Sequence, residues 1–419
     1  MAFNPDTWYL LALAGVLGAA LIGCRRSAIA GRLDLFHPLV FPSIYIGIAT
    51  ILPGLWISRK GGWLGSLNET VVSDRTPMLL ALSVFGFLLG AAFRFRPRRK
   101  GAVTFDANTV KLLGRSLVLV GALILLRALL SGGAATRGLG QDVYTSDDSL
   151  LVMGMLLSFL GVLLILIGGA KRHRMLGWID WALLVTVVGI MSMSGHRATS
   201  LKVILLIVVV FARKNKTTVL PLLVFPLILF GSNAVLDFRN VEVGQVNEGS
   251  FLEKTLGDLG SVTFTTGATD KNLAGQYKGG STIVAGVVRQ LPSAVAIPLW
   301  GQPNDTGAYE FRALIGVGAN QGYGFSIPAE GVINFGALGA FGLPFLLGLL
   351  FAFSYSRFDL KGSFVANWIY PIVVASLPYV WRSDALGAIK SILYPVIGLY
   401  VALVLARSTY NKHVAIRER

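Results

Sequence analysis

The sequence lacks the residues that most metal and nucleophile sites use. It has one cysteine, Cys24, so an intrachain disulfide is impossible. Its four histidines, His37, His173, His196 and His413, show no metal-ligand spacing. There is no Asp-x-Asp pair for a metal-bound nucleotide sugar, no P-loop lysine and no Gly-x-Ser-x-Gly nucleophile motif. We therefore expect neither a metal nor a cofactor.

Charged residues are also scarce. They make up 14% of the 419 residues, whereas 54% are hydrophobic. A soluble domain of this size could not bury so much apolar surface. Repeated apolar stretches of about 20 residues match a hydrocarbon core of ~30 Å. The composition predicts an all-α polytopic membrane protein, with residues 1–419 forming one integral-membrane domain.

The net charge of +16 does not indicate nucleic-acid binding, because the basic residues lie in short clusters between the apolar stretches. We predict about eleven transmembrane helices, at about 8–24, 38–57, 77–93, 112–130, 150–168, 178–194, 199–212, 218–236, 328–353, 364–381 and 385–406. With a periplasmic N-terminus, this count places all five basic clusters on the cytoplasmic side, at 25–26, 94–100, 171–174, 213–216 and 407–419. The C-terminus is then cytoplasmic.

One predicted loop is much longer than the others. Residues 237–327 form a large outer, periplasmic loop in this topology. The stretch STIVAGVVRQLPSAVAIPLW, residues 281–300, resembles a further span, but Arg289, Gln290 and Pro292 interrupt it. We expect short interfacial helices here and in the stretch that begins at Glu248.

Arginines lie on the predicted outer face, where the positive-inside rule disfavours them. Each one taken singly fits an ordinary interfacial anchor. Together with Glu330 they indicate an anionic ligand, and the planar guanidinium fork suits a diphosphate. The predicted diphosphate-binding residues are Arg197, Arg239, Arg289, Arg312 and Arg382, with Asp384 in a supporting role.

Glu330 is the one carboxylate in the stretch GYGFSIPAEGVINFGALGAFG, residues 322–342. Two interpretations of it stay open. It acts on a substrate as a base or hydrogen-bonding group, or it caps the N-terminus of the ninth predicted span, where a carboxylate is favoured by the helix dipole.

This stretch resembles the hallmark of the Wzy-type O-antigen polysaccharide polymerases, a glycine-rich run followed by Ser, Glu and an Asn-Phe-Gly that enters a late membrane helix. The stretch MSGHRATSLKV, residues 193–203, is similar to the outer-face Gly-x-Arg turn of that family, and WRSD, residues 381–384, to its turn before the last span. The family's basic Pro-Arg…Lys-Pro pattern is absent, since the comparable stretch reads IPLWGQP, residues 297–303. Arg289 lies slightly upstream of it.

The resemblance implies a metal-independent glycosyltransferase in a bacterial inner membrane. Its donor would be a growing glycan on undecaprenyl diphosphate and its acceptor a repeat unit on the same lipid, both at the periplasmic face, in O-antigen (lipopolysaccharide) or similar surface polysaccharide biosynthesis. Glu330 would be the catalytic base, and the arginines would stabilise the diphosphate leaving group. Besides these lipid-linked oligosaccharides and membrane lipid, a chain-length regulator protein is a candidate partner.

Two alternatives remain. An O-antigen ligase-like glycosyltransferase relies on a histidine in its large outer loop, and residues 237–327 contain none. A flippase or exporter of lipid-linked glycans would place charges along a central cavity, and the predicted spans show no charge firmly at the midplane.

Overall fold

The computed structural model describes residues 4–29, 33–60, 73–96, 106–130, 146–170, 175–193, 197–215, 256, 259–273, 275–291, 293–300, 306–316, 325–360 and 365–417. Over these residues the chain is all-helical, as predicted. The helices are α1 (Pro5–Ile29), α2 (Phe41–Lys60), α3 (Thr76–Ala92), α4 (Ala107–Leu130), α5 (Ser146–Ala170), α6 (Trp178–Met193), α7 (Arg197–Asn215), α8 (Ser261–Leu273), α9 (Ser281–Val288), α10 (Ser293–Trp300), α11 (Gly307–Ile315), α12 (Ile327–Arg357), α13 (Ile369–Val380) and α14 (Ala385–Arg417).

Ten of the eleven predicted segments coincide with helices, namely α1–α7 and α12–α14. The eighth, 218–236, lies outside the described residues. Among the described residues, five helical segments are long and apolar enough to cross a membrane: Pro5–Ile29, Ala107–Leu130, Leu150–Ala170, Ile327–Arg357 and Ala385–Arg407. They indicate a membrane-embedded protein. The count of eleven, the periplasmic loop and the orientation of the termini stay predictions.

The large and small side chains of α4 are arranged as expected for a helix in contact with lipid. Its outward face presents Leu112, Leu119 and Leu123, which are 64%, 52% and 59% exposed. Its buried face has glycines at Gly114 and Gly121. Large apolar side chains outside and small residues inside are typical of helices that pack together in hydrocarbon.

The described helices group into two compact units. The first contains α1–α3, α8–α11, α12 as far as Tyr355, the end of α13 and α14 as far as Ser391. The second contains α4–α7, the start of α13 and α14 from Ile392 onward. The single integral-membrane domain stays a prediction.

In the second unit, α4 and α5 pack through glycines spaced seven residues apart. A Cβ added to Gly114 would lie 2.7 Å from the carbonyl oxygen of Gly161, and one added to Gly121 would lie 2.8 Å from that of Gly154. Seven residues are close to two helical turns, so these glycines lie along one face of each helix. Only glycine lets the two antiparallel backbones approach this closely.

A buried charge cluster joins α4 to α6 in the same unit. Asp180 is fully buried, and its carboxylate lies 2.6 Å from Nζ of Lys111 and 2.8 Å from Nε of Arg115. The backbone N–H of Gly177 donates a further hydrogen bond to it at 2.7 Å. Since an unpaired buried charge is costly, these partners stabilise Asp180 at the end of the α4–α6 pair.

In the first unit, α3 and α12 run parallel and pack through glycines. A Cβ at Gly86 or Gly90 would collide with the carbonyl oxygen of Phe341 or Phe345, respectively. Gly348 of α12 makes the reciprocal backbone contact with α3. The first unit therefore uses the same small-residue packing as the second, which fixes α12 closely against α3.

Helix α12 is broken at Gly336, and this break determines the shape of the candidate site. Gly336 has φ 60° and ψ −138°, a conformation that residues with a Cβ avoid. On either side of the break, the backbones of Gly331 and Gly339 are in direct contact. Residues eight apart on a continuous helix would be separated by about 12 Å. The chain therefore reverses direction at Gly336.

The backbone carbonyl groups at the end of the first half of α12 accept hydrogen bonds from a neighbouring loop. The carbonyl oxygens of Ile333 and Asn334 accept hydrogen bonds from the backbone N–H groups of Lys278 and Gly279, at 2.9 and 3.1 Å. These carbonyls have lost their helical partners because the helix stops here. We call residues 327–335 the re-entrant arm.

The predicted ninth span, 328–353, is therefore wrong at its start. Its first residues belong to the re-entrant arm, which packs back against the following helix. Residues 337–357 alone are about 31 Å long, enough to cross a hydrocarbon core. Sequence hydropathy cannot distinguish the two arrangements, because both bury the same apolar residues.

Short helices at the membrane surface were predicted in the large loop, and the described helices between 261 and 315 differ in how exposed their apolar side chains are. Most of the stretch from Glu248 that was expected to form a short amphipathic helix lies outside the described residues, so that expectation stays a prediction. Helix α8, which begins at Ser261, is buried from Val262 to Thr269 and packs against α2, α3 and α11. Helices α9 and α10 leave apolar side chains about half exposed, at Val284, Val287, Val295 and Ile297. The interruption predicted within 281–300 separates these two helices.

Candidate functional site

The candidate site surrounds Glu330 on the re-entrant arm. Glu330 is fully buried, and its Oε1 accepts a hydrogen bond of 2.5 Å from the Thr282 hydroxyl. Asn334, one turn later, donates from Nδ2 to the Thr282 oxygen at 2.7 Å and lies 3.4 Å from Oε1. The backbone N–H of Gly280 donates to Asn334 Oδ1 at 3.0 Å and so holds the amide in this orientation. One side of the carboxylate is thus fixed by a connected polar network.

The other carboxylate oxygen faces the beginnings of two further helices. Oε2 lies 3.4 Å from the backbone N of Ala385, the first residue of α14. It also touches Gly307, the first residue of α11, so closely that a methyl group there would collide with it. Thr282 is the second residue of α9. The carboxylate therefore lies at the N-termini of three neighbouring helices, whose dipoles favour a negative charge.

Ser326 provides the N-terminal cap of α12. Its hydroxyl oxygen accepts a hydrogen bond from the backbone N–H of Ala329 at 3.3 Å, and its carbonyl oxygen accepts one from that of Glu330. Among the described residues, the Glu330 carboxylate bonds to α9, α14 and Asn334, not to the first-turn amides of its own helix. Any electrostatic stabilisation by Glu330 thus acts mainly between helices.

Asp384 immediately precedes α14 and caps it. Its Oδ1 accepts a hydrogen bond of 2.8 Å from the backbone N–H of Gly387, the usual geometry of an N-cap aspartate. Asp384 is 8% exposed. Because the next residue, Ala385, contacts Glu330, this cap positions the amide that faces the carboxylate.

Two of the predicted arginines meet at one aromatic ring. The guanidinium carbons of Arg289 and Arg312 lie 5.9 and 4.7 Å from the ring centroid of Tyr309, within the range of cation–π attraction. Tyr309 is 49% exposed, and both arginines are partly exposed. Arg289 ends the helix that begins beside Glu330 with Thr282, so about 10 Å of helix separates the two.

Arg382 lies on the turn between α13 and α14. Its Nε donates a hydrogen bond of 3.1 Å to the hydroxyl of Ser261, the first residue of α8. This turn also contains Asp384, which leads directly to the Glu330 contact at Ala385. The first unit thus contains Glu330, Asp384 and three of the five predicted arginines.

The other two predicted arginines are not placed at this site. Arg197 is the first residue of α7 in the second unit, and the structure describes its backbone only. Arg239 lies outside the described residues. Their predicted roles stay predictions.

Comparison of the chain with models of known protein families, with curated protein sequences and with solved structures found no match. Within the part of the chain that the structure describes, no group of three or more His, Cys, Asp or Glu residues is arranged to hold a metal ion.

Sequence reasoning missed four residues of this site. Thr282, Gly307 and Tyr309 lie in the large predicted loop and carry no motif that links them to Glu330. Asn334 offered a weak signal, since it is an amide in an apolar stretch and is one turn from Glu330 on the same helix face. The contacts of the other three depend on where the chain reverses, which no local pattern specifies.

Proposed function

We propose that the chain is a membrane-embedded glycosyltransferase that polymerises lipid-linked oligosaccharide repeat units. The growing glycan is transferred from undecaprenyl diphosphate to a repeat unit on the same lipid, as the resemblance to the Wzy-type polymerases implies. This activity is proposed for the periplasmic face of a bacterial inner membrane.

One observation carries the proposal: a buried carboxylate and three arginines, predicted separately from scattered stretches, lie in the same unit. The arginines are on or beside α9, α11 and α14, the three helices that begin at Glu330. Short helices whose ends point at a polar site within apolar surroundings are typical of substrate sites in membrane proteins. The Arg289–Tyr309–Arg312 group offers two cations and an aromatic face, a combination that suits a diphosphate next to a sugar.

The proposed chemistry uses these groups in two roles. A hydroxyl of the acceptor sugar attacks the anomeric carbon of the donor and gives its proton to the Glu330 carboxylate. The bond between that carbon and the diphosphate oxygen breaks, and the diphosphate leaves with the electron pair. Arg289, Arg312 and Arg382 stabilise the charge that develops on it.

The proposal also requires a local opening. Oε2 of Glu330 is covered by Gly307, so an acceptor hydroxyl reaches it only when the start of α11 moves aside. Gly307 has no side chain to disengage, which favours such a movement. Closure over the substrate would then exclude water from the reacting carbon.

The arginines give the direct test of this function. We expect Arg289→Ala and Arg312→Ala each to reduce polymerisation on the order of 100-fold, because each removes a charge from the leaving-group site. Arg289→Lys and Arg312→Lys should restore only part of the activity, since lysine is a point charge without the planar fork. The measurement is a glycan ladder made by the purified protein in liposomes supplied with lipid-linked repeat units.

Arg75→Ala is the matched control. Arg75 also lies in the first unit, is 52% exposed at its side chain and pairs with Asp270 at 3.6 Å. The Asp270 side chain is 6% exposed, and in this variant it keeps the hydrogen bond that the Ser73 hydroxyl donates at 2.6 Å, so we expect a normal ladder. Normal ladders from Arg289→Ala and Arg312→Ala as well would contradict the diphosphate role.

A second prediction concerns metal. We expect polymerisation in the same liposomes to be unchanged by EDTA, because the arginines supply the positive charge that a divalent ion supplies in metal-dependent transferases. Loss of the ladder with EDTA, and its recovery with magnesium or manganese, would contradict the mechanism.

A further inference from the structure

A second cationic site lies at the far end of α1 and α3, remote from Glu330. Along α12, Gly339 lies beside the re-entrant arm, whereas Tyr355 packs against His37 in the loop between α1 and α2, with ring centroids 5.0 Å apart. Sixteen residues of helix, about 24 Å, separate these two positions. The two sites therefore lie at opposite ends of the first unit.

The extended segment after α3, Phe93–Arg96, determines the direction of the Arg94 side chain. Phe93 has an extended backbone (φ −61°, ψ 145°), and the rings of Phe93 and Phe95 pack edge-on against Phe345 and Phe353 of α12, at 5.9 and 5.5 Å. These angles are those of polyproline II backbone, in which successive side chains point about 120° apart. With both phenylalanines on α12, the intervening Arg94 is directed away from it.

Arg94 shares its surroundings with Arg26 and His37. The His37 ring lies against α1, since a Cβ added at Gly23, one turn before Arg26, would lie 3.2 Å from its Nδ1. Arg94 follows two residues after Ala92, whose carbonyl oxygen Arg26 contacts. Burial lowers the pKa of His37 to about 4, and the positive charges of Arg26 and Arg94 act in the same direction. Arg26 also donates from Nη1 to the carbonyl oxygen of Ala92 at 3.1 Å, which fixes it at the end of α3. Among the described residues, no ion pair joins either arginine to a carboxylate.

His37 adds a neutral donor to this pair of cations. Its Nδ1 accepts a hydrogen bond from the backbone N–H of Leu39 at 3.2 Å, so the single proton of the neutral ring lies on Nε2. The carboxylate of Asp34, three residues before His37, accepts a hydrogen bond from the Tyr355 hydroxyl at 3.0 Å. The two guanidinium groups and the imidazole N–H lie close to one another. Their like charges repel one another until an anion lies between them.

We propose that Arg26, Arg94 and Nε2 of His37 bind a phosphoryl group, and that in the membrane this group belongs to the headgroup of an anionic phospholipid. The geometry favours a lipid because Phe93 and Phe95, about half and one-third exposed, flank Arg94 with apolar surface that acyl chains can contact. Both arginines also belong to basic clusters that the sequence assigns to the cytoplasmic leaflet, where anionic lipid is available. This site does not depend on the proposed glycosyltransferase function.

The test is a binding titration of the purified full-length protein in detergent, followed by native mass spectrometry. Phosphatidylglycerol is the anionic probe and phosphatidylcholine the zwitterionic comparison. We expect phosphatidylglycerol to bind more tightly, and Arg94→Ala and Arg26→Ala each to weaken it by about fivefold or more. Arg94→Ala decides the result, because Arg26→Ala also removes the hydrogen bond to Ala92.

Arg25→Ala is the matched control, since it removes the same charge from the next position of α1, which is exposed. It should change the affinity by less than about twofold. Equal weakening by Arg25→Ala and Arg94→Ala, or no preference for phosphatidylglycerol over phosphatidylcholine, would overturn the site.

A parallel titration with inorganic phosphate distinguishes the two sources of the phosphoryl group. If millimolar phosphate displaces phosphatidylglycerol only partly, the lipid binds more tightly than phosphate. This result supports the headgroup assignment. Phosphate that binds more tightly than the lipid, with the same loss in Arg94→Ala, overturns that assignment in favour of a soluble ligand.

Discussion

Glu330→Gln is expected to reach the membrane at a normal level and to make ~100- to 10,000-fold less polymer than the unaltered protein. Glutamine keeps an oxygen that accepts the Thr282 hydrogen bond, so the network on that side of the residue remains. It cannot accept a proton from the acceptor sugar, and loss of a general base typically has an effect of this size. Cells should accumulate single repeat units, visible on a glycan gel beside a membrane immunoblot.

The control for this substitution is Glu310→Gln. Glu310 lies on α11 and pairs with Lys278 at 2.9 Å, with its side chain 21% exposed, so the loss of its charge should leave the ladder nearly unchanged. Glu330→Asp should retain a trace of activity, since its carboxylate stands one methylene further back. A full ladder from Glu330→Gln would leave Glu330 with an electrostatic role at the three helix N-termini and remove it from the chemistry.

Gly339→Ala is expected to give the largest loss without touching any charged group. Its new methyl group would overlap the backbone of Gly331, so the re-entrant arm and the following helix must separate. Overpacking of this kind costs ~1–3 kcal/mol. The resulting shift of Glu330 should reduce polymerisation by about 100-fold, because a displacement of ~1 Å at a reacting group has such an effect. Thermal unfolding and the glycan ladder should both reveal the change.

Gly342→Ala provides the comparison on the same helix. No atom lies within 4 Å of a Cβ added there, so the methyl group has space. Since alanine is a better helix former than glycine, we expect unchanged or slightly higher stability and a normal ladder. If Gly339→Ala and Gly342→Ala behave alike, α12 does not reverse at Gly336 as described.

Parts of this arrangement could be predicted because they depend on local composition. The apolar stretches identified the helices α1–α7 and α12–α14, and the Arg-containing turn WRSD indicated a polar position before α14. Glu330 stood out because a carboxylate is rare in so apolar a stretch. By contrast, the Thr282 contact joins residues 48 positions apart and has no local signal.

The sequence by itself determined that this is a helical membrane protein. The hydropathy of a stretch of about 20 residues is the same whichever segments it packs against and whichever way the chain runs. Only the tertiary structure decided that residues 327–335 turn back at Gly336 and that Glu330 meets the ends of α9, α11 and α14. The physical reason lies in the glycines. A glycine at 331, 336 or 339 fits a continuous helix as well as a reversal, and what favours the reversal is the close backbone contact with a segment elsewhere in the fold.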